Sequence, residues 1–330
     1  VSGTAWCAGE IYSAILLLAE DPHLKKLDWR RLLILGALPS LILSFVALFA
    51  LHESPYVLAH KGKHAATRRT LARMAALNGR SKEAEEAMRS CGMLVDDIES
   101  DESDTEDDTV IGEKSEVDED LSLCNKMAIL WGPKLGFTTA VVCFSCFTVN
   151  FLYYGGVYSF PQILPLLGLA ASPALNLFLG AVFEIGGTCV TLWTMRAFNR
   201  KRNFQIFFVT HFLSICSFLL GVCVKTNFST SMMQLGFLGM KLTIGIGFAT
   251  CYIYSAEVYP TAVRAMGSAA CISAGRLGGI LCPIVFEFLH HHYGFWTFFV
   301  LLAVLISANA ALAQNLHIET AGRKLTHELE

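Results

Sequence analysis

Long apolar runs alternate with short polar connections along most of this chain, and that pattern predicts membrane-spanning helices. A helix needs about 20 mainly apolar residues to cross a hydrocarbon core about 30 Å thick, and each run reaches or approaches that length. The first run is the weakest, because Glu10 lies in its middle. The predicted spans are 3–19, 32–51, 136–158, 171–193, 204–224, 234–256, 266–289 and 294–314.

A polar connector at 52–135 separates the second span from the third. Its acidic stretch, 96–120, holds fourteen acidic residues and one lysine. Such a stretch cannot bury enough apolar surface to fold, so we predict that it is disordered. Residues 61–78 instead have the pattern of a short basic amphipathic helix, of the kind that lies on membrane surfaces.

The composition supports a membrane protein in contact with a lipid bilayer. Charged residues make up only 16% of the chain, whereas soluble domains carry about 25%. The eleven cysteines show no repeated pair at metal-ligand spacing, and no nucleophile–base set stands out. We therefore predict no enzyme activity, no metal or cofactor, and no nucleic-acid partner.

The distribution of Lys and Arg predicts the orientation in the membrane. Eighteen of these residues lie in connections on the connector's side, eleven of them in the connector itself, and five lie on the opposite side. Because basic residues favour the cytoplasmic side, the connector and the C-terminus are predicted to be cytoplasmic. The pattern does not distinguish the plasma membrane from an intracellular vesicle membrane.

The turn between the sixth and seventh spans carries the most specific motif. It reads Ile253-Tyr-Ser-Ala-Glu257-Val-Tyr259-Pro260-Thr261-Ala-Val-Arg264-Ala-Met-Gly267. Pro260 cannot continue a helix, and we expect Glu257 to form a charge-assisted hydrogen bond with Arg264 across the turn. The motif resembles the connection between helices ten and eleven of the major facilitator superfamily, in its organic-ion and synaptic-vesicle-2-related branch. This resemblance makes six residues candidates for gating or family-motif roles: Glu257, Tyr259, Pro260, Thr261, Arg264 and Gly267.

The beginning of the chain resembles the same family. Gly3-Thr-Ala-Trp-Cys-Ala-Gly-Glu10 is similar to its helix five, and His52-Glu53-Ser54-Pro55 to the end of its helix six. The chain is therefore expected to be N-terminally incomplete, without helices one to four. The implied fold is an all-α membrane protein with a C-terminal six-helix bundle and the last two helices of an N-terminal bundle. The corresponding parts are 1–51 for the two helices, 52–135 for the connector, 136–315 for the bundle and 316–330 for a cytoplasmic tail.

The resemblance also implies a function. Members of the family are secondary transporters, so we expect transport of a small organic solute by alternating access, with a coupling ion such as a proton as a second partner. A different hypothesis stays open, in which the chain is truncated or degenerate, does not transport, and acts through interactions of its connector.

Three charged residues lie deep inside predicted spans, where each costs about 2.5–3.5 kcal/mol on insertion scales. They are Arg276, Lys241 and Glu184, and we expect them to approach one another and to line one polar cavity. In the functional interpretation Arg276 and Lys241 bind an anion, and Glu184 is a counter-ion or proton carrier. The alternative is a buried ion pair that only holds helices together. Glu10 is a further pathway candidate, and by resemblance a basic residue at the position of Arg276 favours anionic solutes.

Asn150, Tyr153 and Tyr154, followed by Gly155-Gly156, resemble the broken end of the family's helix seven. Paired glycines would let that helix open towards a cavity, which makes the three polar residues candidates for the solute pathway. Simple packing is an equally good interpretation of the aromatic residues.

Arg200 marks a departure from the family pattern. Members usually carry Asp-Arg-x-Gly-Arg between helices eight and nine, whereas this chain reads Met195-Arg196-Ala-Phe-Asn199-Arg200-Lys201-Arg202. The basic end remains and the acidic residue and the glycine are lost. Arg200 is therefore a gating candidate whose acidic partner the sequence does not identify.

Overall fold

The computed structural model describes residues 2–51, 53–60, 62–80, 123–169, 171–224, 228–316 and 319–320. Within these residues the chain forms helices joined by turns, with no strand. The helices are α1 Ser2–Glu20, α2 Trp29–Ala50, α3 Pro55–His60, α4 His64–Leu77, α5 Leu123–Leu130, α6 Gly136–Leu167, α7 Pro173–Ala197, α8 Arg200–Cys223, α9 Ser229–Glu257, α10 Thr261–Tyr293 and α11 Trp296–Gln314.

Seven of the described helices are long and apolar enough to cross a membrane, namely α2 and α6 to α11. α1 is not among the seven, and it is the helix whose apolar run contains Glu10. The fold class is confirmed: a six-helix bundle at the C-terminal end follows two helices at the N-terminal end. The chain divides into two compact units, residues 1–36 with 118–330, and residues 37–117.

The first unit is built on pairs of long helices. α6 packs along α10, α9 packs along α8 and α7, and α1 packs on α7. Aromatic side chains fill the centre, where the rings of Phe160 and Phe237 lie 4.6 Å apart between centroids and those of Phe218 and Phe299 also 4.6 Å. These contacts join α6, α8, α9 and α11 around one apolar core.

α6 corrects one expectation from the sequence. It continues through Gly155-Gly156 without a break and ends at Gly168, whose φ of 60° closes the helix in the left-handed conformation. A Cβ atom at residue 155 would lie 2.7 Å from Phe298 Cζ. Glycine at position 155 therefore permits close packing of α6 against α11, and it does not open the helix.

α2 is apolar and exposed over most of its length. Leu41, Leu48 and Phe49 are 67%, 78% and 75% exposed, and the helix buries no residue against the described chain. Such a surface suits hydrocarbon, as expected for a span.

In the second unit α3 and α4 pack on each other. α4 occupies most of the predicted amphipathic segment at 61–78, and its apolar residues Met74 and Leu77 are exposed. The acidic stretch at 96–120 and the tail beyond residue 320 lie outside the described residues.

Candidate functional site

Glu10, Glu184 and Lys241 form a largely buried group that we call the Lys241 cluster, in which the Glu10 side chain is 22% exposed. The Lys241 ammonium makes an ion pair with Glu184, at 3.1 Å between Nζ and Oε2, and a second ion pair with Glu10 Oε1. Lys241 is 7% and Glu184 6% exposed. One cation therefore pairs with two carboxylates, and the three residues come from three different helices: Glu10 from α1, Glu184 from α7 and Lys241 from α9.

Close packing of α7 against α9 brings Glu184 to Lys241. At Gly187, one turn after Glu184, a Cβ atom would lie 3.0 Å from the carbonyl carbon of Leu242. Only a residue without a side chain permits this approach of two backbones, as in other membrane helix pairs with small residues at the contact.

α1 is fixed to α7 at two levels, and this positions Glu10. Near the end of α1, the Pro22 carbonyl accepts a hydrogen bond of 3.1 Å from the backbone N–H of Ala174. One turn before Glu10, Cys7 Sγ lies 3.6 Å from Thr188 Oγ1.

Aromatic side chains cover one side of the Lys241 cluster. Lys241 Nζ lies 5.5 Å from the ring centroid of Tyr153, within the range of a cation–π contact. Trp6 Nε1 donates a hydrogen bond to the Tyr153 hydroxyl at 2.5 Å, and Phe248 packs edge-on against the Tyr153 ring. A cavity of about 20 Å³ beside Lys241 is lined by Tyr153 and His211 among others, and is large enough for one water molecule.

Arg276 lies elsewhere and is exposed. Its Nη1 donates to the Tyr154 hydroxyl at 3.2 Å, and the Tyr154 ring contacts the Tyr153 ring at 5.3 Å between centroids. The expectation that Arg276, Lys241 and Glu184 come together is therefore wrong for Arg276. Arg276 projects from α10 and pairs with α6, while Glu10 of α1 supplies the third charge of the Lys241 cluster.

Asn150, on α6, is almost fully buried. Its Nδ2 donates to the Cys146 carbonyl at 2.8 Å and to the Tyr252 hydroxyl at 3.3 Å. The Tyr252 ring stacks on Phe248, with the two planes 4° apart. Asn150 thus orients an aromatic residue that stacks on Phe248, which in turn packs against Tyr153 beside the Lys241 cluster.

A second polar group, which we call the tail lock, consists of Arg200, Glu257, Glu319 and Thr320. Arg200 forms two hydrogen bonds with the Glu257 carboxylate, at 3.1 Å from Nε and 3.0 Å from Nη2. The Thr320 hydroxyl donates to Glu257 Oε2 at 2.7 Å. The predicted pairing of Glu257 with Arg264 is wrong, because Arg200 occupies the carboxylate, and Arg264 Nε donates to the Tyr259 carbonyl at 3.2 Å.

Glu319 completes the tail lock at the start of α8. Its carboxylate accepts hydrogen bonds from the backbone N–H groups of Arg200 and Lys201, at 3.1 and 3.2 Å. These N–H groups lack partners inside the helix, and the Asn199 side chain does not cap them. A carboxylate is favoured there by the helix dipole. The carboxylate at the start of α8 is thus supplied by a residue that follows α11.

The turn between α9 and α10 is packed tightly. α10 begins at Thr261, after Pro260. Tyr259 is 1% exposed, and a Cβ atom at Gly267 would lie 2.6 Å from its ring, so the glycine makes room for the tyrosine. Ser268 Oγ donates to the Ser255 carbonyl at 2.9 Å and joins the two helix ends.

The comparison with protein families matches residues 1–328 to the sugar (and other) transporter family. The chain belongs to this family. It is 28% identical to the synaptic vesicle 2-related protein of Bos taurus over 341 residues, which cover 97% of this chain and 55% of that protein. It is 26% identical to Organic cation/carnitine transporter 7 of Arabidopsis thaliana over 351 residues, which cover 98% of this chain and 67% of that protein.

The fold is similar to a partially occluded inward open conformation of the xylose transporter XylE from E. coli. The TM-score is 0.61 at 16% sequence identity, with 97% of this chain and 62% of that chain covered. The predicted membership of the major facilitator superfamily, in its synaptic-vesicle-2-related branch, is confirmed, and the family and fold are those of transporters and not of enzymes. The chain spans about half the length of the synaptic vesicle 2-related protein that it matches.

Within this transporter fold, the sequence interpretation missed several residues that complete the two groups. Trp6 and His211 border the Lys241 cluster, and no signal in the sequence marked them, because an aromatic residue or histidine inside an apolar run is most often a packing residue. Glu319 and Thr320 lie in Ile318-Glu319-Thr320-Ala-Gly322-Arg-Lys-Leu325, which resembles a tail motif of the family. This motif was the only indication in the sequence that Glu319 and Thr320 have a role. It did not show which residues they contact.

Proposed function

We propose that the protein is a secondary transporter of a small organic anion, working by alternating access between two helix bundles. Membership of the transporter family supports the transport of a small solute. The observation that carries the anionic specificity is the exposed Arg276 guanidinium beside Tyr154. A guanidinium has five N–H donors, and the described residues supply one side-chain acceptor to it. The remaining donors suit the planar, bidentate recognition of a carboxylate.

The surroundings of Arg276 suit a solute with an apolar or aromatic body. Tyr154, Tyr153, Phe248 and Tyr252 make a continuous series of ring contacts that starts at Arg276. In this proposal Asn150 holds Tyr252 in place, and the Lys241 cluster with Tyr153 forms the deep end of the pathway. The name of the Arabidopsis relative refers to organic cations and carnitine, so the charge preference is the point to test.

The organisation in the membrane is part of the proposal. The connector at 52–135 and the C-terminus lie in the cytoplasm, and the parts of the chain are 1–51, 52–135, 136–315 and 316–330. The tail lock, together with the turn from Tyr259 to Gly267, acts as a gate at the connector's side. The hypothesis of a transport-incompetent interaction protein depends on the acidic stretch at 96–120, which lies outside the described residues.

The test uses the full-length protein in proteoliposomes with two matched probes, nicotinate and nicotinamide. The two share one ring, and only nicotinate carries a carboxylate. We expect saturable uptake of nicotinate and little of nicotinamide, with carnitine as a zwitterionic comparison. Arg276→Ala should abolish nicotinate uptake while protein abundance stays near normal, and Arg276→Lys should restore part of it, since charge remains but the planar fork is lost.

Arg30→Ala is the matched control, because Arg30 is an exposed arginine that stacks on Trp29 and lies outside both polar groups. Equal uptake of nicotinate and nicotinamide would contradict the anionic specificity. A collapse of protein abundance in Arg276→Ala, with normal abundance in the control, would show that Arg276 has a structural role instead.

A further inference from the structure

The Lys241 cluster has an unbalanced charge when both of its carboxylates are ionised. Lys241 contributes one positive charge, and Glu10 and Glu184 contribute two negative charges. The group would then carry a net charge of −1 at a largely buried position in a membrane protein, where an uncompensated charge is disfavoured.

The hydrogen bonds of the cluster show the same imbalance. Glu10 Oε2 is buried and has no hydrogen-bond partner among the described residues. The carboxyl groups of Glu10 and Glu184 both contact the Lys241 ammonium, which brings them close together. Ionised carboxylates are only acceptors, so a bond between these two groups requires a proton on one of them.

The other groups that face the cluster do not supply a second fixed cation within the described residues. They are Cys7 from α1, Tyr153 from α6, Thr188 from α7 and His211 from α8. His211 lies across the small cavity, where its Nδ1 is 2.8 Å from Thr243 Oγ1. Lys241 of α9 is the cation that pairs with both carboxylates.

We propose that Glu10 and Glu184 hold one proton between them, with Lys241 as the fixed counter-ion, and that this proton is the coupling ion of transport. The protonated cluster is neutral and has a partner for Glu10 Oε2. Release of the proton to water restores the net negative charge, which favours an open, hydrated state of the protein. The coupling role rests on the proposed transport function, whereas the proton site itself does not.

Infrared difference spectroscopy of the purified full-length protein tests the proton site directly. A protonated carboxyl group gives a C=O stretching band that carboxylates lack. We expect this band at neutral pH, and we expect its loss in Glu10→Gln and in Glu184→Gln, because each variant leaves one carboxylate to balance Lys241. Glu20→Gln is the control, since Glu20 lies on the same helix but pairs with Arg31. A spectrum in which neither variant removes a carboxyl band would overturn the proposal.

Transport of nicotinate in proteoliposomes tests the coupling. With one proton per solute, a pH difference of one unit, acid outside, sustains about tenfold accumulation. We expect Glu10→Gln and Glu184→Gln to lose this accumulation, while Glu20→Gln keeps it. Accumulation that persists in both variants would overturn the coupling role.

Two further outcomes separate the proposals. If the carboxyl band is present but no nicotinate exchange occurs, the proposed transport of nicotinate fails and the proton site stands. If both carboxylates are ionised and the cation choline binds with an affinity that falls in Glu10→Gln, the site takes an organic cation, and the proton proposal is wrong.

Discussion

The guanidinium of Arg200 and the carboxylate of Glu257 meet as a two-bond pair, 57 positions apart in the chain. Their side chains are 17% and 28% exposed, so the pair is partly shielded from solvent. It connects the beginning of α8 to the end of α9, and Thr320 and Glu319 add the segment after α11. Three helix ends are thereby held at one point.

Glu257→Gln should weaken this connection without changing the shape of the side chain. A hydrogen bond to a charged group contributes about 1.5–3 kcal/mol. The equilibrium constant for closing the tail lock should therefore fall about tenfold or more. We expect the turnover number for nicotinate to fall about tenfold, while the dissociation constant of nicotinate changes little.

The control is Glu287→Gln, in which the same chemical change removes a carboxylate that accepts from Tyr158 and Gln162. Turnover should stay near the wild-type value in this variant. An unchanged turnover number in Glu257→Gln would show that the Arg200–Glu257 pair does not control a gate.

Thr320→Val tests whether the segment after α11 belongs to the same lock. The substitution removes the hydroxyl that donates to Glu257 at 2.7 Å and keeps the volume. We expect a smaller loss of turnover than in Glu257→Gln, and a double variant whose effect is less than additive, because both changes act on one carboxylate. A double-mutant cycle on the turnover number measures this. Strictly additive effects would show that Thr320 acts independently of the Arg200–Glu257 pair.

Gly187→Ala should disturb the Lys241 cluster through the backbone. A Cβ atom there meets the Leu242 carbonyl carbon at 3.0 Å, so α7 and α9 must move apart, at a cost of about 1–3 kcal/mol. We expect a lower melting temperature in detergent, together with loss of proton-driven accumulation.

Gly186→Ala is the matched control on the same helix. Its Cβ atom would meet only Leu242 Cδ1, at an ordinary 3.7 Å. Alanine is a better helix former than glycine by up to about 1 kcal/mol, so this variant should be as stable as the wild type or more stable. Equal stability of the two variants would show that the α7–α9 contact is looser than described.

The proposed orientation predicts the accessibility of two epitopes. An epitope inserted near Asp104 and one at Glu330 should both stain only after the membrane is permeabilised, because most Lys and Arg residues lie on that side. Staining of either epitope on intact cells would contradict the proposed topology. An epitope in the short loop at Pro22 and His23 should stain without permeabilisation.

The sequence by itself determined the helical membrane fold, the family and the identity of most candidate residues. Apolar runs of spanning length and the motif around Pro260 are local properties, and they can be read without knowing which helices meet. A charge such as Lys241 inside an apolar run is equally visible, because its burial follows from the run that surrounds it.

Only the tertiary structure decided which charges pair. Glu10 and Lys241 are 231 positions apart, and their meeting depends on the packing of α1 and α9 against α7. Arg276 has a similar predicted depth, yet its direction on α10 takes it to Tyr154. Depth follows from position along one helix, whereas a partner depends on the rotation of two helices about their axes. Side-chain packing along the whole contact sets that rotation, so no single motif in the sequence contains it.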